Sequence, residues 1–336
     1  MTTAPPLPSP PRHVAAHAPE AGPTPWPRVV ALAAAVAVGL TVLLAAFAWP
    51  ATRTAPRDVP VAVVGPPAAV EQLRAAVEES APGALDLRPA VDPAEARQLV
   101  EDREVYGALV LDPAAPTVVV ATQAGPAVAQ LLTTAATTAT GGSAVRVDDV
   151  APAPADDPRG AGLAAGALPL ALGGGAGAVL LALRIRGNGR QAAGALVLAL
   201  LGGPAAAGVL HGWLGALTGD WWAEAGVLSL GLAATSLGVL GLAAVAGRAG
   251  LGLGMATVVA LGNPLSAASS APVLLPGGWA GLGQALPPGA TVAALRAVSG
   301  FGGTGAAGPL TVLAVWAAGG LLLLAVGAAR GRRHPA

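Results

Sequence analysis

The side chains able to do chemistry are few and scattered. Four histidines occur, His13, His17, His211 and His334, three of them near the polar ends, so a histidine metal centre or a Ser/His/Asp triad lacks its parts. Cysteine is absent, which removes thiolate zinc sites, iron–sulfur clusters and cysteine nucleophiles. All 18 basic residues are arginine, so there is neither a P-loop lysine nor a Schiff-base amine. Gly300-Phe301-Gly302-Gly303-Thr304-Gly305 matches G-x-G-x-x-G literally, but no strand leads into it and it reads as a loop. Asp148, Asp149, Asp156 and Asp157 lack the fixed spacing and turn glycine of a calcium loop and read as a solvated hinge. No catalytic, cofactor-binding or metal-binding residue is assigned, and the chain reads as a non-enzyme with no nucleic-acid partner.

The elements that carry these residues are set by composition. With 336 residues, 54% of them hydrophobic and only 11% charged, most of the chain belongs in lipid. Residues 1–27, rich in Pro and Ala without an apolar period, read as a disordered tail. Residues 28–49 form the first span, since the uncharged run from Val29 to Trp49 is long enough to cross about 30 Å of hydrocarbon. A signal peptide cleaved after Ala48 is the rival reading, and the apolar run exceeds its usual ~7–15 residues.

Residues 50–160 change texture and read as a water-soluble α/β domain of order β-α-β-α-β-β-α-β. Strands are expected at 61–64, 84–87, 106–111, 117–121 and 144–150, and helices at 67–80, 92–105 and 125–138. Asp92 with Glu95 makes a capping box. Residues 161–330 then form a five-helix membrane domain, with spans near 163–183, 192–213, 225–246, 251–272 and 310–329, followed by a tail at 331–336. Asn263-Pro264 interrupts the fifth span.

Charge fixes the orientation. Residues 50–160 carry 15 acids and 8 arginines, whereas the remainder carries 10 arginines and 3 acids. Arg12 and Arg28, then Arg184, Arg186 and Arg190, then Arg248, then Arg330, Arg332 and Arg333 flank alternate span ends. The positive-inside rule then gives six spans in the cell membrane, both termini cytoplasmic and the α/β domain extracytoplasmic. Trp26, Trp49, Trp213, Trp221 and Trp222 fall at span ends, where interfacial aromatics belong.

Spans two to six contain no acid and no arginine between their expected ends, leaving His211 as the sole titratable side chain within them. Ion-coupled carriers place ionisable groups there despite the cost, so any driving energy comes from outside the bundle. Gly173/Gly177, Gly208/Gly212, Gly215/Gly219 and Gly250/Gly254 fit small-xxx-small spacing, read here as ordinary packing. Between 263 and 300 prolines break the helix repeatedly, and irregular backbone at membrane depth survives only when buried in protein or facing water. That stretch is read as re-entrant or interfacial.

Pro264-Leu265, Leu275-Pro276, Trp279, Pro287 and Leu295-Arg296 follow in order the progression that bridges the last two spans in permease subunits of type-2 ATP-binding-cassette exporters. The chain resembles the branch of that family with one span, a large outer domain carrying a strand like Tyr106–Val110, and then five spans. The resemblance implies a homodimer or heterodimer of permeases, surrounded by lipid and driven by a separate ATP-binding subunit, that exports a hydrophobic or amphipathic compound. Arg184, Arg186 and Arg190 are the expected contacts for that subunit. The alternative is a membrane-anchored interaction protein whose outer domain binds a cell-envelope partner.

Overall fold

The computed structural model describes residues 23–139 and 144–333. The tail expected at 1–27 lies outside the described residues as far as residue 22, with Arg12, His13 and His17; so do 334–336, with His334. Two compact units divide the chain, Met1–Leu44 and Ala45–Ala336. The described part of the first is the beginning of helix α1 (Trp26–Thr52), which starts two residues before the expected span and is long and apolar enough to cross a membrane.

The second unit opens with the α/β module. Its elements are β1 (Val59–Val64), α2 (Pro67–Ser80), β2 (Leu85–Pro89), α3 (Pro93–Glu101), β3 (Gly107–Val110), β4 (Thr117–Val120), α4 (Pro126–Ala139) and β5 (Arg146–Asp149). The expected order is reproduced, with α3 ending at Glu101, four residues earlier than expected. Asp92 caps α3 by accepting from the Glu95 amide at 2.8 Å, while the Glu95 carboxylate accepts from the Val91 amide. The sheet runs β2-β1-β3-β4-β5, parallel throughout except for the β3/β4 pair, whose short connection through Asp112 and Pro113 permits only a hairpin.

Both faces of the sheet are covered, which is why β1 is apolar on both sides. Val59, Val61 and Val63 pack with Leu109, Val118 and Leu132 under α2 and α4. Ala62, Ala108 and Val119 pack with Ala96 and Val100 of α3 on the other face. Each core is completed from far along the chain: Ala271 and Leu274 enter the first, and Phe301 packs against the second.

The rest of the unit is helical: α5 (Ala161–Arg184), α6 (Asn188–Ala207) widened by a π-type turn to Trp213, α7 (Trp221–Met255) continued by a second π-type turn to Gly262, α8 (Trp279–Gln284), α9 (Pro287–Gly300) and α10 (Ala307–Arg333). With α1, five stretches are long and apolar enough to cross a membrane, Trp221–Gly262 counting as one. That stretch is not straight. Gly247 sits at φ 60°, ψ −135°, a conformation open to glycine, and the chain turns back there. A Cβ on Gly254 would lie 3.0 Å from the Val239 Cα, a contact impossible along a continuous helix.

A helical returning leg therefore occupies the first part of the stretch expected as a fifth span, and it ends at Gly262 rather than at 272. Pro264 offers no amide to continue the ladder, and a 3-10 turn (Pro264–Ser266) leads to Ala267 at φ 55°. Of the four Gly-xxx-Gly pairs, Gly250/Gly254 presses on the backbone of a neighbouring helix, and Gly208 and Gly212 meet nothing.

Contacts fix the two ends of the bundle. At one, Gly162 abuts Ala216, the Thr218 amide donates to Ser299 Oγ, and Gln123 of the module donates to Thr218 Oγ1. At the other, Asn188 Nδ2 donates to the Leu324 carbonyl and Gly327 abuts Ala244. Arg184, Arg186, Arg190 and Arg248 are exposed at this end, remote from the module.

Candidate functional site

The broken segment from Asn263 to Gly300 joins module and bundle. After the turn at Pro264, in which Leu265 is buried, a second 3-10 turn (Pro272–Leu274) inserts into the module core; its Leu274 carbonyl accepts from the Ala55 amide at 3.1 Å. Pro276 is buried, and Trp279 opens α8 with its ring edge-on to Trp49, the centroids 5.4 Å apart. Pro287 begins α9, nearly all of whose residues are buried. Pro276, Pro287 and Pro288 are buried in protein, whereas the stretch from Gly277 to Leu282 between them is largely exposed.

Arg296 holds the segment's shape. It is 94% buried, and its Nη2 donates to the carbonyls of Ala267, Ala268 and Ser270 at 3.0, 3.0 and 2.8 Å. Those carbonyls lie at and after the left-handed Ala267; the Ala267 carbonyl also accepts from the Ser270 amide at 3.1 Å, and the guanidinium caps all three. Beside the segment, a cavity of about 350 Å³ is bordered by Phe47, Thr54, Asn263, Ser269 and Leu275, and Asn263 Oδ1 is buried without a partner. Between α5, α7 and α9 the bundle interior leaves about 20 Å³, room for a single water.

Sequence reading missed a buried carboxyl–imidazole contact. Glu224, placed outside the fourth span, is fully buried in the first turn of α7; it accepts from the Gly219 amide at 2.8 Å and meets His211 Nδ1 at 2.7 Å. The bundle thus does hold an acid, on the end that faces the module. Glu224→Ala strands the Gly219 amide and removes the contact of His211 Nδ1, and is expected to lower unfolding free energy by about 1–3 kcal/mol, read as a melting shift of the full chain in detergent. Glu224→Gln, which keeps an acceptor for Gly219, is expected to lose less.

The remaining expected features resolve as structure. Arg184, Arg186 and Arg190 come together around the three-residue turn between α5 and α6 and form no ion pair among the described residues. The G-x-G-x-x-G stretch is the turn between α9 and α10. Asp148 pairs with Arg97, Asp149 accepts from Thr122, and Asp157 caps α5 through the amides of Ala161 and Gly162 at 2.7 Å each. The described residues contain no metal-binding cluster. No family model, curated protein or solved structure matches the chain.

Proposed function

We propose that this chain is the membrane permease subunit of an exporter for a hydrophobic or amphipathic compound, energised by a separate ATPase subunit. The observation that carries the reading is the broken segment, buried at both ends, gripped by Arg296 and keyed through Leu274 into the module. A displacement at one end of the bundle reaches the module through these contacts, as a rigid-body switch requires. The filled interior between α5, α7 and α9 favours a pathway between two copies, and the 350 Å³ cavity beside the segment suits an apolar guest with one polar group.

On this reading the turn at Gly247 separates two crossings, giving six in all. The exposed arginines then mark the cytoplasmic end, with both termini there and the module outside. Arg184, Arg186 and Arg190 receive the ATPase subunit.

The test is co-purification in mild detergent followed by efflux from inside-out vesicles. An ATPase should accompany the wild type and be lost on converting the three arginines to glutamate, with ATP-dependent efflux lost in parallel. Absence of both an ATPase and ATP-dependent transport would overturn the proposal, as would protease shaving that finds residues 60–130 on the cytoplasmic side.

The second reading, an anchored binding protein, is favoured by an apolar cavity of about 350 Å³ in the module, between α2, α4 and the sheet, lined by Leu73, Val77, Leu109, Leu111, Ala136 and Val145. Deleting the module separates the two, since only the anchor reading expects partner binding to vanish without any transport defect in any variant.

A further inference from the structure

A further cavity, about 150 Å³, lies where the module meets α9 and is independent of the exporter reading. Its polar side chains are Arg103, Tyr106, Gln284 and Arg296; the other seven lining residues are apolar, among them Val105, Ala121 and Phe301. The set is rich in donors and contains no carboxylate. Among the described residues neither arginine forms an ion pair, although Arg296 is buried and Arg103 half-buried.

Each polar group has unused capacity. Arg296 spends Nη2 on three carbonyls, leaving Nη1 and Nε without a protein partner. Arg103 lies 5.0 Å over the Phe301 ring and donates one bond, from Nη1 to the Thr304 carbonyl at 3.2 Å. Gln284 Nε2 is buried with no hydrogen-bond partner among the described residues. Burial pulls the Arg103 guanidinium below its ordinary value and lifts the Tyr106 hydroxyl above its own, the nearby arginine charges offsetting part of the latter. Two like charges and an orphaned amide donor around one void make an arrangement that an anion completes. Guanidinium forks match carboxylate and phosphate oxygens.

We propose that this cavity binds the acidic group of a small phosphate- or carboxylate-bearing ligand, held by Arg103, Arg296 and the Gln284 amide, with the apolar lining taking its non-polar part. That acidic group is either the headgroup of an anionic lipid or a free anion.

The full chain in neutral detergent is titrated with inorganic phosphate at constant ionic strength, and its melting temperature is followed. In parallel, native mass spectrometry scores retention of phosphatidylglycerol over phosphatidylcholine from mixed nanodiscs. A saturable rise with phosphate assigns a free anion, and selective phosphatidylglycerol retention assigns a lipid. Either effect should weaken roughly tenfold in Arg103→Gln, the loss of one charge-assisted hydrogen bond. Gln284→Glu places a carboxylate in the void; it should melt higher than wild type without ligand and no longer respond to either probe. The proposal falls if wild type shows neither effect, or if Gln284→Glu melts lower than wild type and keeps the full response.

Discussion

Leu274→Ala is expected to destabilise the full chain by about 2–5 kcal/mol, the cost of emptying a buried leucine site. Leu274 is 7% exposed, and its neighbours are the module's own core residues, so the vacated space adjoins valines already fixed by the sheet and cannot collapse easily. The loss should appear as a lower melting temperature and as easier proteolysis of the module. Leu282→Ala, at an exposed position of α8, provides the comparison and should fall within about 0.5 kcal/mol of wild type. Equal losses in both variants would mean that Leu274 is not a key between module and bundle.

Gly320→Val is expected to cost about 3 kcal/mol or more, because a Cβ there would stand 2.3 Å from the Leu237 carbonyl oxygen, and the obstacle is backbone rather than a flexible side chain. The helices α7 and α10 meet at this point through bare backbone, with Gly241 facing Gly320 in return. Gly319 is an internal control: a Cβ added there meets nothing within 4 Å, so Gly319→Val should change stability only by the small helix-propensity difference, which favours valine over glycine. Melting of the two variants in detergent checks the contrast, and a Gly320→Val protein as stable as Gly319→Val would refute the close approach.

The module was readable from the chain because its signals are local. The apolar run of β1, the 3.6-residue spacing of Val70, Leu73 and Val77 in α2, and the Asp92 cap each lie within a few residues of the element they specify. The long apolar helices were equally plain, and Arg248 marked the place where Trp221–Gly262 turns. Glu224 was not readable as a buried group: beside Asp220 and two tryptophans it looks interfacial, and its burial depends on His211, thirteen residues earlier. Gly241 and Gly320 carry no Gly-xxx-Gly spacing, so their close approach had no sequence signal. Arg103 and Arg296 are almost two hundred residues apart, and only the docking of module on bundle makes them neighbours.

The turn at Gly247 also bears on the surrounding lipid. The returning leg, from 248 to 262, rises about 22 Å, against a hydrocarbon thickness of about 30 Å. On the six-crossing reading, the bilayer beside this leg is met by a hydrophobic length several ångströms too short. Acyl chains there must compress or headgroups dip inward, so the outer leaflet is locally dimpled next to the broken segment, and membranes of different thickness should change how readily the protein is accommodated.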